Sequence, residues 1–80
     1  MSDAKFRIKI KAADGSPFTV MFEPTGMTYD LEADQVMFAE VQEDVSTEIE
    51  IVYWGDGISV WPQGPVTTYD ADGNELHELN

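Results

Sequence analysis

The first legible pattern in the chain is strict alternation. Phe6, Ile8, Ile10 and Ala12 alternate with Lys5, Arg7, Lys9 and Lys11, and Phe18, Val20 and Phe22 alternate with Thr19, Met21 and Glu23. Successive strand side chains point to opposite faces, so each run reads as a half-buried β-strand. Asp14-Gly15 lies between them, and Asp-Gly between alternating apolar residues is a strong hairpin signal. A three-residue loop Asp14-Gly15-Ser16 sets Ala12 against Phe18, Ile10 against Val20, Ile8 against Phe22 and Arg7 against Glu23. A two-residue turn sets Lys11 against Phe18 and buries charge, so the odd loop is favoured. Gly15 or Ser16 then takes the left-handed bulge position.

Glu23-Pro24-Thr25-Gly26 breaks the pattern, and Met27-Thr28-Tyr29-Asp30-Leu31 alternates again as a third strand. Between Glu32 and Asp44 two readings compete. Ala, Glu, Gln and Met favour helix, and Leu31, Phe38, Val41 and Val45 fit a helical stripe. Val36, Phe38 and the interleaved Met37, Ala39 and Val41 fit a strand buried on both faces. The short length and the β-rich surroundings favour strand.

Glu48–Trp54 is the most apolar run, with Ile49, Ile51 and Tyr53 on one face and Val52 and Trp54 on the other. Apolar residues on both faces predict a central strand. Ile58–Trp61 returns across Gly55-Asp56-Gly57. A three-residue loop there puts Trp54 with Val52, Ile58 and Val60, and Trp61 with Ile51 and Tyr53. A two-residue turn at Asp56-Gly57 puts Trp54, Val52 and Trp61 on one face. After the break at Pro62-Gln63-Gly64-Pro65, Val66–Tyr69 and Glu75–Leu79 form a last hairpin. A two-residue turn at Asp72-Gly73 sets Tyr69 against Leu76 and Val66 against Leu79. Seven to eight short strands joined by tight turns make an all-β domain, a compact antiparallel sandwich or small barrel.

The bulk properties narrow the function. Eighty residues form a single domain with a thin core, and there is no Cys to staple it. Disulfides, thiolate metal sites and cysteine nucleophiles are thereby excluded. Met1–Lys5 is polar, and no apolar run approaches the about 18–20 residues that span a bilayer. These features lead us to expect a cytoplasmic protein. Sixteen carboxylates against four bases give a net charge of −12. That disfavours nucleic acid and anionic lipid, which need clustered cations, and suits a basic protein partner.

The segment Phe22-Glu23-Pro24-Thr25-Gly26-Met27-Thr28-Tyr29-Asp30-Leu31 resembles a motif of small uncharacterised bacterial β proteins. In that family a Phe-Glu-Pro-x-Gly turn leads into a strand ending in Leu. Ile49-Glu50-Ile51-Val52-Tyr53, Ile58-Ser59-Val60-Trp61-Pro62 and the closing strand with Asp72-Gly73 are also similar, so the likeness covers most of the chain from Phe18 onward. The chain departs at Thr25, where Trp is common, and at Ala33-Asp34, where Pro-Gly is usual. The resemblance implies a β fold and no activity.

Few residues carry a chemical signal. Asp70-Ala71-Asp72-Gly73-Asn74 looks like the start of a calcium loop. Position six is Glu75 instead of Gly, and the chain ends before a bidentate Glu at position twelve, so the run reads as a hairpin turn. His77 is the single histidine and has no Ser or Cys partner at a catalytic spacing, so it reads as structural. No metal or cofactor site is expected. Lys5, Arg7, Lys9 and Lys11 are all the bases of the protein and share one face of one strand. That stripe is either a charged edge that resists strand pairing or a docking face for a charged partner. Trp54 and Trp61 are core packing or interface anchors. The expected function is that of a non-enzymatic acidic protein–protein interaction module, with Lys5, Arg7, Lys9, Lys11, Trp54 and Trp61 as candidate partner-binding residues. The alternatives are an acidic inhibitor or immunity protein masking a basic nuclease or toxin surface, and a small carboxylate-dependent hydrolase or isomerase. The sequence leaves the oligomeric state open.

Overall fold

The computed structural model describes residues 5–13, 16–42, 48–62 and 64–79. The described residues form eight strands, β1 (Lys5–Lys11), β2 (Phe18–Phe22), β3 (Met27–Leu31), β4 (Val36–Gln42), β5 (Glu50–Trp54), β6 (Gly57–Trp61), β7 (Val66–Tyr69) and β8 (Glu75–Leu79). They form two four-stranded sheets, ordered β1-β4-β7-β8 and β3-β2-β6-β5. The sheets pack face to face as an open sandwich and do not close into a barrel. None of the described residues forms a helix long and apolar enough to cross a membrane. Of the stretch from Glu32 to Asp44, Val36–Gln42 is strand, as its β-branched and aromatic residues predict, Glu32–Gln35 is the turn that leads into it, and Glu43 and Asp44 lie outside the described residues.

The core lies where the alternation places it. Val20, Phe22 and Leu31 of the second sheet meet Met37, Ala39, Val41, Val66 and Leu79 of the first, with Ile10, Ala12 and Val60 completing the buried cluster. Ile8 packs partly buried against it. The ring of Phe22 stands edge-on to Tyr29 at 5.8 Å, the favoured arrangement for an aromatic pair.

The pairing departs from the expected first hairpin. β1 pairs antiparallel with β4, with Arg7 opposite Glu40 and Ile8 opposite Ala39, and not with β2. Phe22 faces Met27 across β3, so neither Ile8–Phe22 nor Arg7–Glu23 is a cross-strand pair. The backbone gives the reason. Ala12 extends the β1–β4 ladder, donating its N–H to the Gln35 carbonyl at 3.0 Å and accepting from Asp34 N–H at 3.2 Å. The chain after it crosses between sheets. The expected bulge falls partly on Asp14 and Gly15, outside the described residues. Ser16 is not left-handed, because the positive-φ positions among the described residues are Gly26, Asp34 and Gly73.

One pairing is parallel, β2 with β6, although the expectation was a wholly antiparallel sandwich. A parallel pair cannot be closed by a hairpin. β2 and β6 instead arrive from separate excursions into the same sheet. The β5–β6 turn is also displaced from the expected Asp-Gly. Trp54 pairs Gly57, which leaves Gly55-Asp56 as a two-residue turn. Gly57 is needed in the strand, because a Cβ there would sit 2.7 Å from Cζ2 of the Trp54 indole.

Candidate docking site

Three surfaces gather the residues with functional potential. The first is the outer face of β1, an edge strand as the charged stripe predicts. Lys5, Arg7, Lys9 and Lys11 stand opposite Gln42, Glu40, Phe38 and Val36 of β4. The stripe is not uniformly free. The Arg7 guanidinium lies 5.0 Å over the Phe38 ring and 5.6 Å from the Tyr69 ring centre, a cation–π arrangement. Tyr69 donates its hydroxyl to Glu40 Oε1 at 3.2 Å. Its hydroxyl pKa is raised by desolvation first and by the Glu40 charge second. Lys5, Lys9 and Lys11 are exposed.

The second surface is β5, predicted as central and found at the edge of its sheet. Consequently Ile51 and Tyr53, which the sequence places on one face of a central strand, are 52% and 73% exposed. Both belong to the inward face, since Ile51 pairs with buried Val60 and Tyr53 with Ile58. The opposite sheet does not reach over them. Val52, on the outer face between them, is 43% exposed. Three consecutive apolar side chains are thus in water on both faces of a strand whose outer edge has no neighbour among the described residues. The two-residue turn puts Trp54, Val52 and Trp61 on one face, one of the two arrangements open at the sequence level. Trp61, opposite Glu50, is exposed, and Trp54 is half-buried on Gly57. Basic β1 and apolar β5 lie in different sheets, so the six candidate residues form two groups, not one patch.

The third surface was not anticipated. A cleft of about 470 Å³ opens beside β3, its turn into β4 and the β7–β8 turn. Leu31, Val36, Met37 and Leu76 give it apolar walls, and Asp30, Asp34, Asp70 and Asp72 line it with carboxylates. Two of these carboxylates are already engaged. Asp30 accepts from the Thr19 hydroxyl at 2.9 Å. Asp70 accepts from the backbone N–H of Asp72 and of Asn74, each at 2.9 Å, and from Asn74 Nδ2 at 3.2 Å. These donors, those of Asn74 foremost, hold the Asp70 carboxyl below its ordinary value. The run Asp70–Asn74 is therefore a hairpin turn. Its loop is Ala71-Asp72-Gly73 with Gly73 at φ 88°, rather than a two-residue turn. Leu76 becomes an extra residue at a bulge, so Tyr69 faces Glu75 in place of Leu76, while Val66 faces Leu79 as expected. Among the described residues no three His or carboxylate groups converge as metal ligands.

His77 has a structural partner that the sequence did not reveal. Its Nδ1 lies 3.0 Å from the Tyr29 hydroxyl, which lies 2.8 Å from Oγ1 of fully buried Thr68. The His77 N–H donates to the same Oγ1 at 3.2 Å. Tyr29 belongs to β3 and the other two to β7 and β8, so this polar link ties the sheets together along one side. Burial raises the Tyr29 hydroxyl pKa, and the Thr68 hydrogen bond opposes it. The alternation Val66-Thr67-Thr68-Tyr69 was the available signal, because it places Thr68 on the inward face with Val66.

Comparison with known proteins gives no match to a family model, to a curated protein or to a solved structure.

Proposed function

We propose that the chain is a non-enzymatic protein-interaction module whose docking element is the open edge β5. The observation that carries this reading is the run Ile51-Val52-Tyr53, exposed on both faces of an edge strand. Natural edge strands are ordinarily guarded by charge, Pro or bulges, and an unguarded apolar edge is a template for an added strand. Main-chain hydrogen bonds would hold the added strand, while Trp61 and Val52 on one face and Ile51 and Tyr53 on the other accept its side chains. Glu48 and Glu50 beside the apolar run, on a chain of net charge −12, favour a partner strand with basic residues on one face. The lack of Cys accords with a cytoplasmic setting.

A second reading rests on the cleft. Asp34 and Asp72 beside apolar walls suit a basic side chain inserted from a nuclease or toxin surface, the acidic-inhibitor role.

Photo-crosslinking residues placed one at a time at Val52, at Leu76 in the cleft and at Thr28 on the far strand β3 separate the readings in native cells. Edge docking gives a polypeptide adduct at position 52 that disappears when Ile51→Lys is added. Inhibition through the cleft gives an adduct at position 76. Equal labelling at all three, or none, rejects both.

A further inference from the structure

We infer that the strand which docks on β5 is β1 of a second copy of this chain, so that two copies form a closed dimer with both open edges paired at once. This rests on the reading of β5 as a docking edge and names its occupant. Four observations support it.

The first is position. Tyr29 of β3 reaches Thr68 of β7 and His77 of β8, so the β3 and β8 edges share one side of the sandwich. The other two edges, β1 and β5, therefore share the opposite side.

The second is direction. β3 and β4 are joined by a four-residue connection, Glu32–Gln35, between the sheets, so they run oppositely. β1 is antiparallel to β4 and therefore runs with β3. β3 and β5 are antiparallel to the parallel pair β2 and β6, so β5 also runs with β3. β1 and β5 consequently point the same way. A two-fold axis along the strands leaves directions unchanged and exchanges the upper and lower sheets. It brings β1 of each copy beside β5 of the other, in parallel, with outer faces still outward. Such an interface is isologous and closes at two copies.

The third is side-chain complementarity. With Lys5 beside Glu48 and Arg7 beside Glu50, the outer row carries opposite charges, and Lys11 falls beside Trp54. In the same register the inner row sets Ile8 beside Ile51. The two strands have the same phase of alternation, so every charged position of β1 stays on the solvent face.

The fourth is exposure. Phe6, Ile51 and Tyr53 are inward-facing residues left exposed, and all three belong to these two edges. Pairing covers them and runs the core of one copy into the next. The equal net charge of the copies opposes association at long range, but it is screened beyond about 8–10 Å at physiological salt. The opposed Lys5–Glu48 and Arg7–Glu50 pairs lie inside that range.

Sedimentation of the full chain tests this. The expected species has twice the 8.9 kDa chain mass and dissociates on dilution. Lys5→Glu alone and Glu48→Lys alone each lose it, and the double variant, which restores opposite signs, regains it. Ile51→Lys, at a half-exposed site, loses the dimer while its circular dichroism and melting stay those of a folded chain. A wild-type chain of single mass from micromolar to millimolar concentration overturns the proposal, as does a dimer that survives Ile51→Lys or a double variant that stays monomeric. A single-mass wild type that still gives a position-52 adduct with a different protein rejects the second copy and keeps the docking edge.

Discussion

Asp70 shows how one side chain decides between two chemistries. Its neighbours Asp72 and Asn74 resemble cation ligands in sequence, yet their backbone N–H groups point at the Asp70 carboxylate. A carboxylate that accepts three hydrogen bonds within its own turn has spent its oxygens on the hairpin, and the turn is pinned by a charge. The pH dependence follows from the depressed pKa. The folded carboxyl binds protons less readily than the unfolded one. Its stabilising contribution is complete above the ordinary value of 3.8 and is withdrawn as the pH falls below it. Asp70→Ala is therefore expected to destabilise the domain at neutral pH. The gap between variant and wild type should narrow as the pH drops from about 6 to about 2. Urea titrations of both proteins across that range measure it. A gap that stays constant in acid would mean that the carboxylate charge is not what holds the turn.

At the scale of elements, the hairpin β5–β6 carries the sharpest steric demand. Its tip is attached to β2 through the Thr19 N–H, which donates to the Asp56 carbonyl at 3.0 Å. The Trp54 indole lies across Gly57, and a Cβ at that position would come 2.5 Å from the Thr19 carbonyl oxygen. Gly57→Ala must shift backbone as well as the indole, and a cost of about 1–3 kcal/mol is expected for such overpacking. Gly55→Ala, two residues earlier in open space, is the control and should be near neutral. Equal stability of the two variants would show that the indole does not hold this strand. The same hairpin shows what was legible and what was not. Alternation told which side chains share a face, and the grouping of Val20 with Phe22 and of Trp54 with Val52 follows from it. It carried no information on which strand lies next to which. An Asp-Gly in the first connection suggested a hairpin, but a chain that turns a corner between sheets has the same composition as one that turns back within a sheet. Apolar residues on both faces of β5 likewise implied a central strand by the rule that exposed positions are polar. That rule fails at a surface left open, and the failure at Ile51 and Tyr53 is what marks the candidate site.

At the scale of the whole molecule, the two sheets are offset in coverage. Ile51 and Tyr53 share a face with buried Val20, Phe22 and Val60 but lie beyond the reach of the opposing sheet. The single chain thus holds itself together with fewer apolar residues than its sequence supplies. A domain of this size buries only roughly 60–65% of its unfolded surface, so each residue at the centre of the core matters more than one at its edge. Phe22 is fully buried, edge-on to Tyr29 and flanked by Met27 and Val60 across its neighbouring strands. Phe22→Ala leaves a cavity that the rigid sheets cannot close and is expected to cost about 3–5 kcal/mol, a large share of the total stability of a small domain. Ile51→Ala removes a side chain that is already half in water. Measured at a dilution where single chains predominate, it should cost about 1 kcal/mol or less. Thermal melts of the two variants under those conditions compare the centre and the rim directly. A destabilisation by Ile51→Ala as large as that by Phe22→Ala, at a concentration too low for association, would place β5 inside the folding core of the single chain and remove the reason to regard its apolar edge as a surface kept for a partner.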